Sequence, residues 1–416
     1  MTKSKKNQLK KSLGLGFGIA ILIGGTIGVG ILRTPGAIAG MLDNYWIIIS
    51  CWFLGGLYIL VGANSYAELA TMLPKAGGSY NYIKRAFGDY AGFLSGWFDY
   101  ITNVVPPAFY CIVISEYLVI LFPSLESQTT VIAIAFLVAF TLLHISGVKN
   151  GSFVQKLTSI EKDTPFFEMG IVFGFFKSLQ LIIGTYDGWY AVCFFAEEDK
   201  NPSKNIPKSL YTGALIVIVI YILINMAFFQ VLPVSALANS PLVASDVAKV
   251  VFGKEGSILV TVIAIFSLIS ILNAYMMIPA RILFGLSRDG FFIQQGTRIN
   301  NGGTPIVALL ISSLFSLFLI SIGSFEILFS FGTFMSVIVW GLAYCSLIKL
   351  RNKEPNLPRP YLSWGYPWTS IVMILATLTL LIGFAYSDTK NFVIIIIIAI
   401  LSYPAYLIIN NRNKRV

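Results

Sequence analysis

From Phe392 to Ala399 every residue is apolar, and this unbroken run is one of many along the chain. Such a run restricts the fold more than any other feature. A strand of an outer-membrane barrel alternates apolar and polar residues over about 10 positions, so an uninterrupted run excludes that class. A helix of about 20 apolar residues spans a bilayer core with all of its backbone groups paired internally. Hydrophobic residues make up 56% of the 416-residue chain and charged residues 12%, with a mean hydropathy of +0.79. No soluble domain carries that balance. Twelve helical spans would use roughly 250 residues and leave only short connections. The expectation is an all-α polytopic membrane protein forming one transmembrane domain over 1–416.

The formal net charge is +10, which by itself admits nucleic acid or anionic lipid as a partner. Position decides against nucleic acid, because the Lys and Arg residues sit between apolar runs, as topology signals do. With both ends on one side, Lys3 to Lys11, Lys75 to Arg85, Lys149 and Lys156, Lys200 to Lys208, Arg281 to Arg298, Lys349 to Arg359 and Arg412 to Arg415 share a face, expected to be the cytoplasmic one. This requires Phe153 to Phe176 to span, although Glu161, Lys162, Asp163 and Glu168 interrupt it. Each central charge costs about 2.5–3.5 kcal/mol on insertion, so that segment depends on neighbouring helices. Cys51, Cys111, Cys193 and Cys345 lie in apolar stretches without metal-ligand spacing and read as small hydrophobes. The basic N-terminus lacks a small-residue cleavage site, which argues against a removable signal peptide. No cofactor is expected, no metal-ligand set appears, and no Walker loop points to ATP-driven work.

Two spans carry helix-breaking sequence. The first, Leu15 to Ala39, contains Gly24-Gly25-Thr26-Ile27-Gly28-Val29-Gly30. Four glycines in seven residues imply either close helix packing of the GxxxG kind or an unwound backbone. The sixth, Ser178 to Ala196, contains Gly184-Thr185-Tyr186-Asp187-Gly188-Trp189. Two interrupted helices five spans apart suit an inverted-repeat transporter, in which half-helix amides hold an anionic group and half-helix carbonyls a cationic one. An α-amino acid offers both groups.

The stretches "IGGTIGVGILRTPG", "YAELATMLPKAGGSYNYIKRAFG" from Tyr66, "TYDGW" followed by "AEEDKNPSKNIPKSL", and "SRDGFF" from Ser287 resemble the amino acid/polyamine/organocation transporters. Taken in order they cover nearly the whole chain, and the closest likeness is to bacterial L-amino acid exchangers of the serine/threonine type. The resemblance implies a LeuT-like fold of five-plus-five inverted repeats, about 15–176 and 178–347, followed by two further helices at about 368–409. It implies that the substrate carboxylate rests on the amides of Gly28, Val29 and Gly30, and the amine on carbonyls near Thr26 and from Gly184 through Thr185 and Tyr186 to Asp187. Lys162 matches a family lysine that stands where sodium-coupled members of the fold bind an ion; a local ion pair or snorkelling is the plainer reading. Trp189 would lie near the pocket or in the core, and Asn273 matches a family asparagine that would otherwise only tie two helices together. The chain departs from the resemblance at Val29, which adds bulk, and at Gly184, where relatives often carry an aromatic residue.

The expected function is a secondary transporter in the cytoplasmic membrane, exchanging small neutral L-amino acids without sodium, with the substrate and the bilayer as its partners. The sequence admits a homo-oligomer and does not determine a partner subunit. A polyamine or organic-cation carrier is disfavoured because the spans other than the fifth show no acidic cluster. A transport-inactive amino acid sensor remains a rival. An enzyme is least expected, because no nucleophile pairs with a base in the spans. Glu68, Lys84, Arg85, Glu197, Glu198 and Asp199 would form either an inner gate or a solvated face.

Overall fold

The structure, a computed structural model, describes residues 11–145, 171–240, 243–322 and 325–413. Described residues fall almost wholly into helices, in the order α1 (Leu15–Thr26), α2 (Val29–Ala39), α3 (Tyr45–Met72), α4 (Ser79–Phe87), α5 (Asp89–Leu121), α6 (Thr129–Ile145), α7 (Ile171–Thr185), α8 (Pro202–Val231), α9 (Val234–Ala238), α10 (Val243–Arg288), α11 (Ile306–Ile322), α12 (Phe325–Lys353), α13 (Trp368–Ser387) and α14 (Thr389–Asn413). Eight of these segments are long and apolar enough to cross a membrane; α1, residues 172–185 and residues 306–321 are shorter apolar helices. The protein is therefore an all-α polytopic membrane protein.

The first expected span is broken. Helix α1 closes with the Ile27 amide donating to the Ile23 carbonyl at 2.8 Å, Ile27 and Gly28 are extended, and α2 begins at Val29. The sixth expected span is broken too, by turns over 186–190 and a 3₁₀ segment over Ala191–Phe195. Backbone of this kind persists at membrane depth only where protein encloses it or it lines a cavity.

The boundary expected between the fifth and sixth spans, at Lys177, is not where the helix begins. Helix α7 (Ile171–Thr185) runs unbroken through Lys177, so residues 171–176 are continuous with the sixth expected span. The reason is a set of distant partners: the Lys177 ammonium donates to Gln180 Oε1 at 2.9 Å, pairs with Asp388 at 3.1 Å and reaches Ser330 Oγ at 3.4 Å. A charge solvated by α12 and the start of α14 does not end a helix. The remainder of the expected fifth span, with Lys162, lies outside the described residues.

The core around the breaks is aromatic. Trp52, Tyr66, Trp189, Tyr190, Trp340 and Tyr344 are all buried, with Trp189 edge-on to Tyr66 at 4.9 Å and to Trp340 at 5.6 Å. Helix α4, read from sequence only as a connection, buries Tyr80, Tyr82, Ile83 and Ala86 while Lys84 and Arg85 face out.

Candidate functional site

The two breaks meet. Gly188 has φ +98°, a left-handed conformation that favours glycine, and a Cβ there would run into the Gly25 carbonyl. A Cβ on Gly30 would lie 2.8 Å from Thr185 Oγ1 and Cγ2, and one on Gly28 would lie 2.5 Å from Ile271 Cδ1. Glycine at these three positions lets the backbones of the first and sixth spans approach each other and α10. Thr34 Oγ1, itself donating to the Gly30 carbonyl at 2.7 Å, comes within 3.2 Å of Thr185 Oγ1 and ties α2 to α7.

This close approach brings helix ends of opposite polarity together. Gly24, Gly25 and Thr26 close α1, and their carbonyls have no donor within the helix. The first amides of α2 likewise have no intrahelical acceptor, and no side chain caps them. Partial negative charge at the end of α1 and at the end of α7 thus faces partial positive charge at the start of α2. One hydroxyl joins the two negative ends: Tyr221 of α8 donates toward the Thr26 carbonyl at 2.7 Å and the Thr185 carbonyl at 3.0 Å. A single proton is shared between two acceptors, so neither carbonyl has a full donor of its own from this hydroxyl.

A cavity opens between these ends, lined by Thr26, Gly28, Gly30, Gly184, Thr185 and Asp187, with Thr102, Pro106, Phe109 and Tyr110 of α5, Tyr275 of α10 and Phe329 and Thr333 of α12. Its volume is about 30 Å³, room for about two water molecules. An amino acid therefore enters only when lining side chains move. Asp187 accepts from the Gly188 amide at 2.7 Å and from Ser336 Oγ at 2.6 Å, so each carboxyl oxygen already has a donor. Pro106 and Pro107 interrupt α5 beside the cavity and withhold the amides that would pair with the Thr102 and Asn103 carbonyls, which adds acceptors to the wall.

Six expected site residues thus converge on one cavity, and Val29 opens α2 beside it. Others lie elsewhere. The Tyr186 side chain turns to α3, with its hydroxyl 3.2 Å from the Trp52 carbonyl, and Trp189 packs in the aromatic core. Asn273 is buried on α10 facing His144. The aromatic residue missing at Gly184 is supplied from across the cavity, because a Cβ there would lie 2.8 Å from the Phe329 ring and also meet Thr333 Oγ1. Sequence reasoning missed Tyr110, Tyr275, Phe329 and Ser336; Tyr221 and the adjacent prolines of α5 left the clearest traces, a lone hydroxyl in an aliphatic run and a helix breaker in an apolar one.

The face bearing residues 11–14 is sealed by charge. Arg281 and Glu198 form a buried bidentate pair at 2.6 and 3.1 Å, with the guanidinium 4.5 Å over the Phe195 ring. The Glu198 carbonyl also accepts the amides of Ser12 and Leu13. Arg288 holds Glu197 at 2.8 Å, Arg351 and Arg359 hold Glu68 at 2.6 and 3.3 Å, Lys84 holds Asp289 at 2.7 Å, and Arg85 holds Glu354 at 2.8 Å. Asp199 accepts the Asn201 amide at 2.6 Å and Asn205 Nδ2 at 2.8 Å, beside the start of α8. Of the acidic and basic residues noted in the sequence, Glu68, Lys84, Arg85, Glu197 and Glu198 are therefore ion-paired with residues distant in sequence rather than with one another, and Asp199 is held by local amides. Arg85 holds the Glu354 carboxyl below the usual glutamate range. Toward the opposite face, where α12 begins, Leu328 and Phe329 line the cavity, and Arg33 pairs with Glu116 at 3.8 Å.

A family model described as amino acid permease matches residues 17–177 and 157–403. The serine/threonine exchanger SteT of Bacillus subtilis is 29% identical over 99% of this chain and 99% of its own length. The b(0,+)-type amino acid transporter 1 of Mus musculus is 28% identical over 92% of this chain and 84% of its own length, and the large neutral amino acids transporter small subunit 2 of Homo sapiens is 28% identical over 85% and 72%. With helices broken at both glycine motifs and a cavity where they meet, the chain belongs to the amino acid permease family of the amino acid/polyamine/organocation superfamily.

Proposed function

We propose that this amino acid transporter exchanges small neutral L-amino acids across the cytoplasmic membrane without sodium, by alternating access around the cavity between the two breaks. One observation carries the reading: a single cavity has the uncapped start of α2 on one side and the carbonyl ends of α1 and α7 on another. A carboxylate on the amides of Gly28, Val29 and Gly30 and an ammonium on the carbonyls at Thr26 and 184–187 would neutralise both sets of dipoles. The small volume and the Phe329 wall favour small side chains. The name of SteT, an exchanger of serine and threonine, supports exchange and this size range. The charged face is the cytoplasmic one in this reading, with both termini there. In this reading the two repeats join ahead of α7, and Lys162 stands in for a coupling cation.

A cation carrier is the second reading, favoured by the Asp187 carboxylate in the cavity wall. Ser336 and the Gly188 amide already occupy its oxygens, which favours a zwitterion. One relative is named a small subunit; a partner chain for this protein is tested by co-purification from its native membrane. The function is tested by counterflow in proteoliposomes loaded with unlabelled Ser, Thr, Ala, Leu, Arg or putrescine. Saturable uptake of labelled serine, equal with and without sodium, supports the exchanger. Flux of putrescine alone supports the carrier, and binding without any flux supports the sensor.

A further inference from the structure

The spans do hold an acidic group that the sequence reading passed over, and its surroundings do not suit a charge. Asp99 of α5 is 1% exposed. Its Oδ1 accepts from the Tyr190 hydroxyl at 3.2 Å and from Asn103 Nδ2 at 3.4 Å, whereas its Oδ2 is fully buried and has no hydrogen-bond partner. The other buried carboxylates among the described residues are treated differently: Glu198 has Arg281, Glu68 has two arginines and the Ser363 amide, and Asp199 has the Asn201 amide and Asn205.

The groups facing Asp99 come from several elements. They are Tyr66 of α3, Ser79 and Tyr82 of α4, and Asp187, Tyr190 and Cys193 of the segment after α7. None of these is a cation. On the elements packed further along α5, Arg281 of α10 is committed to Glu198, His144 of α6 faces Asn273 and Arg281, and Tyr344 of α12 lies against Tyr66. A buried ionised carboxylate without a cation carries a desolvation penalty of several kcal/mol; protonation removes it by neutralising the charge, and the new O–H faces the Ser79 hydroxyl as an acceptor.

We propose that Asp99 binds a proton in this closed arrangement, on the Oδ2 that is left without a hydrogen-bond partner, and gives it up when the charged face opens. Thr102 and Asn103 follow Asp99 by three and four positions on the same helix face, and Thr102 lines the cavity. Asp99 therefore sits about one turn from the cavity, on the side of Tyr66, Ser79 and the ion-paired face. Water admitted from that face takes the proton: the O–H bond breaks, its electron pair stays on the carboxylate, and closure reverses the step. Proton binding stands independently of the transport reading; its coupling to substrate rests on that reading.

The test has two arms. Infrared spectra of the purified protein in lipid at neutral pH should show a carboxylic acid carbonyl band that shifts in D2O, disappears in Asp99→Asn, moves in Asp99→Glu and survives in Asp187→Asn. A spectrum without that band, or one identical in wild type, Asp99→Asn and Asp99→Glu, overturns the proposal. In proteoliposomes with a trapped pH dye, amino acid addition should move protons in wild type and not in Asp99→Asn, whose exchange should no longer depend on pH. Equal proton movement in both overturns coupling through Asp99. A wild type that exchanges no amino acid contradicts the transport reading, and the infrared band then still decides where the proton sits.

Discussion

Replacing Tyr221 with Phe removes one oxygen from the point where the two broken helices converge. The ring should stay in place, because it packs edge-on to Trp52 at 5.5 Å and against Tyr186 at 4.9 Å, and neither contact uses the hydroxyl. What is lost is a hydrogen bond shared between the Thr26 and Thr185 carbonyls, 2.7 and 3.0 Å away. A hydrogen bond is worth about 0.5–1.5 kcal/mol net, and leaving a buried acceptor without its donor costs about 1–3 kcal/mol. Where opening draws α1 and α7 apart, the cost falls on the closed arrangement, in which both carbonyls meet one hydroxyl. A bias of about 1–3 kcal/mol against that arrangement corresponds to about 5- to 150-fold in its population relative to an open one. Since the closed cavity is what grips a substrate, the half-saturation concentration in counterflow should rise by a factor in that range. Measuring counterflow across substrate concentrations, with thermal unfolding as a control for the fold, tests this directly. Unchanged half-saturation and unchanged maximal rate in a folded Tyr221→Phe protein would refute the reasoning.

Three further perturbations probe other parts of the structure. Gly30→Ala places a methyl group 2.8 Å from Thr185; overpacking of this kind costs about 1–3 kcal/mol, and the variant should fold, melt lower and lose exchange, whereas wild-type counterflow would contradict the close approach. Arg281→Met leaves Glu198 buried without its partner, at a cost of about 3–5 kcal/mol, and Arg281→Met/Glu198→Met should recover most of the lost thermal stability; a double variant no more stable than the single one would sink the pairing. Glu354 titrates below its unfolded value because Arg85 stabilises its charged form, so the pair's contribution is present above the unfolded pKa of about 4.3 and fades as pH falls through the lower, folded value. With Arg85 half exposed, that contribution is at most about 1 kcal/mol; melting curves of wild type and Glu354→Gln should differ slightly at neutral pH and converge in acid, and a gap that widens in acid would reverse the sign.

The broken helices were legible because glycine clusters in an apolar run leave few physical options, and both clusters mark the observed breaks. Their shared consequence, a cavity, was legible from the pairing of the two. Lys177 misled because a lysine in an apolar stretch reads as a boundary; its partners Asp388, Ser330 and Gln180 are recruited by the fold. The same blindness hid Tyr221, whose acceptors belong to helices far away in sequence, and Phe329, which fills the space that Gly184 leaves. Asp99 went unmarked because one carboxyl among aromatic residues has no local signature. Asp99 and Asp187 are single carboxyls, not the acidic cluster that a polycation would need, so that ground for disfavouring a cation carrier stands.

The central claim is that the cavity holds both ends of a zwitterion, the carboxylate at the start of α2 and the ammonium at the ends of α1 and α7. Counterflow of labelled serine should be inhibited by unlabelled serine and neither by serinamide, which lacks the carboxylate, nor by N-acetylserine, which lacks the ammonium. Inhibition by both modified compounds as strong as that by serine itself would contradict the account.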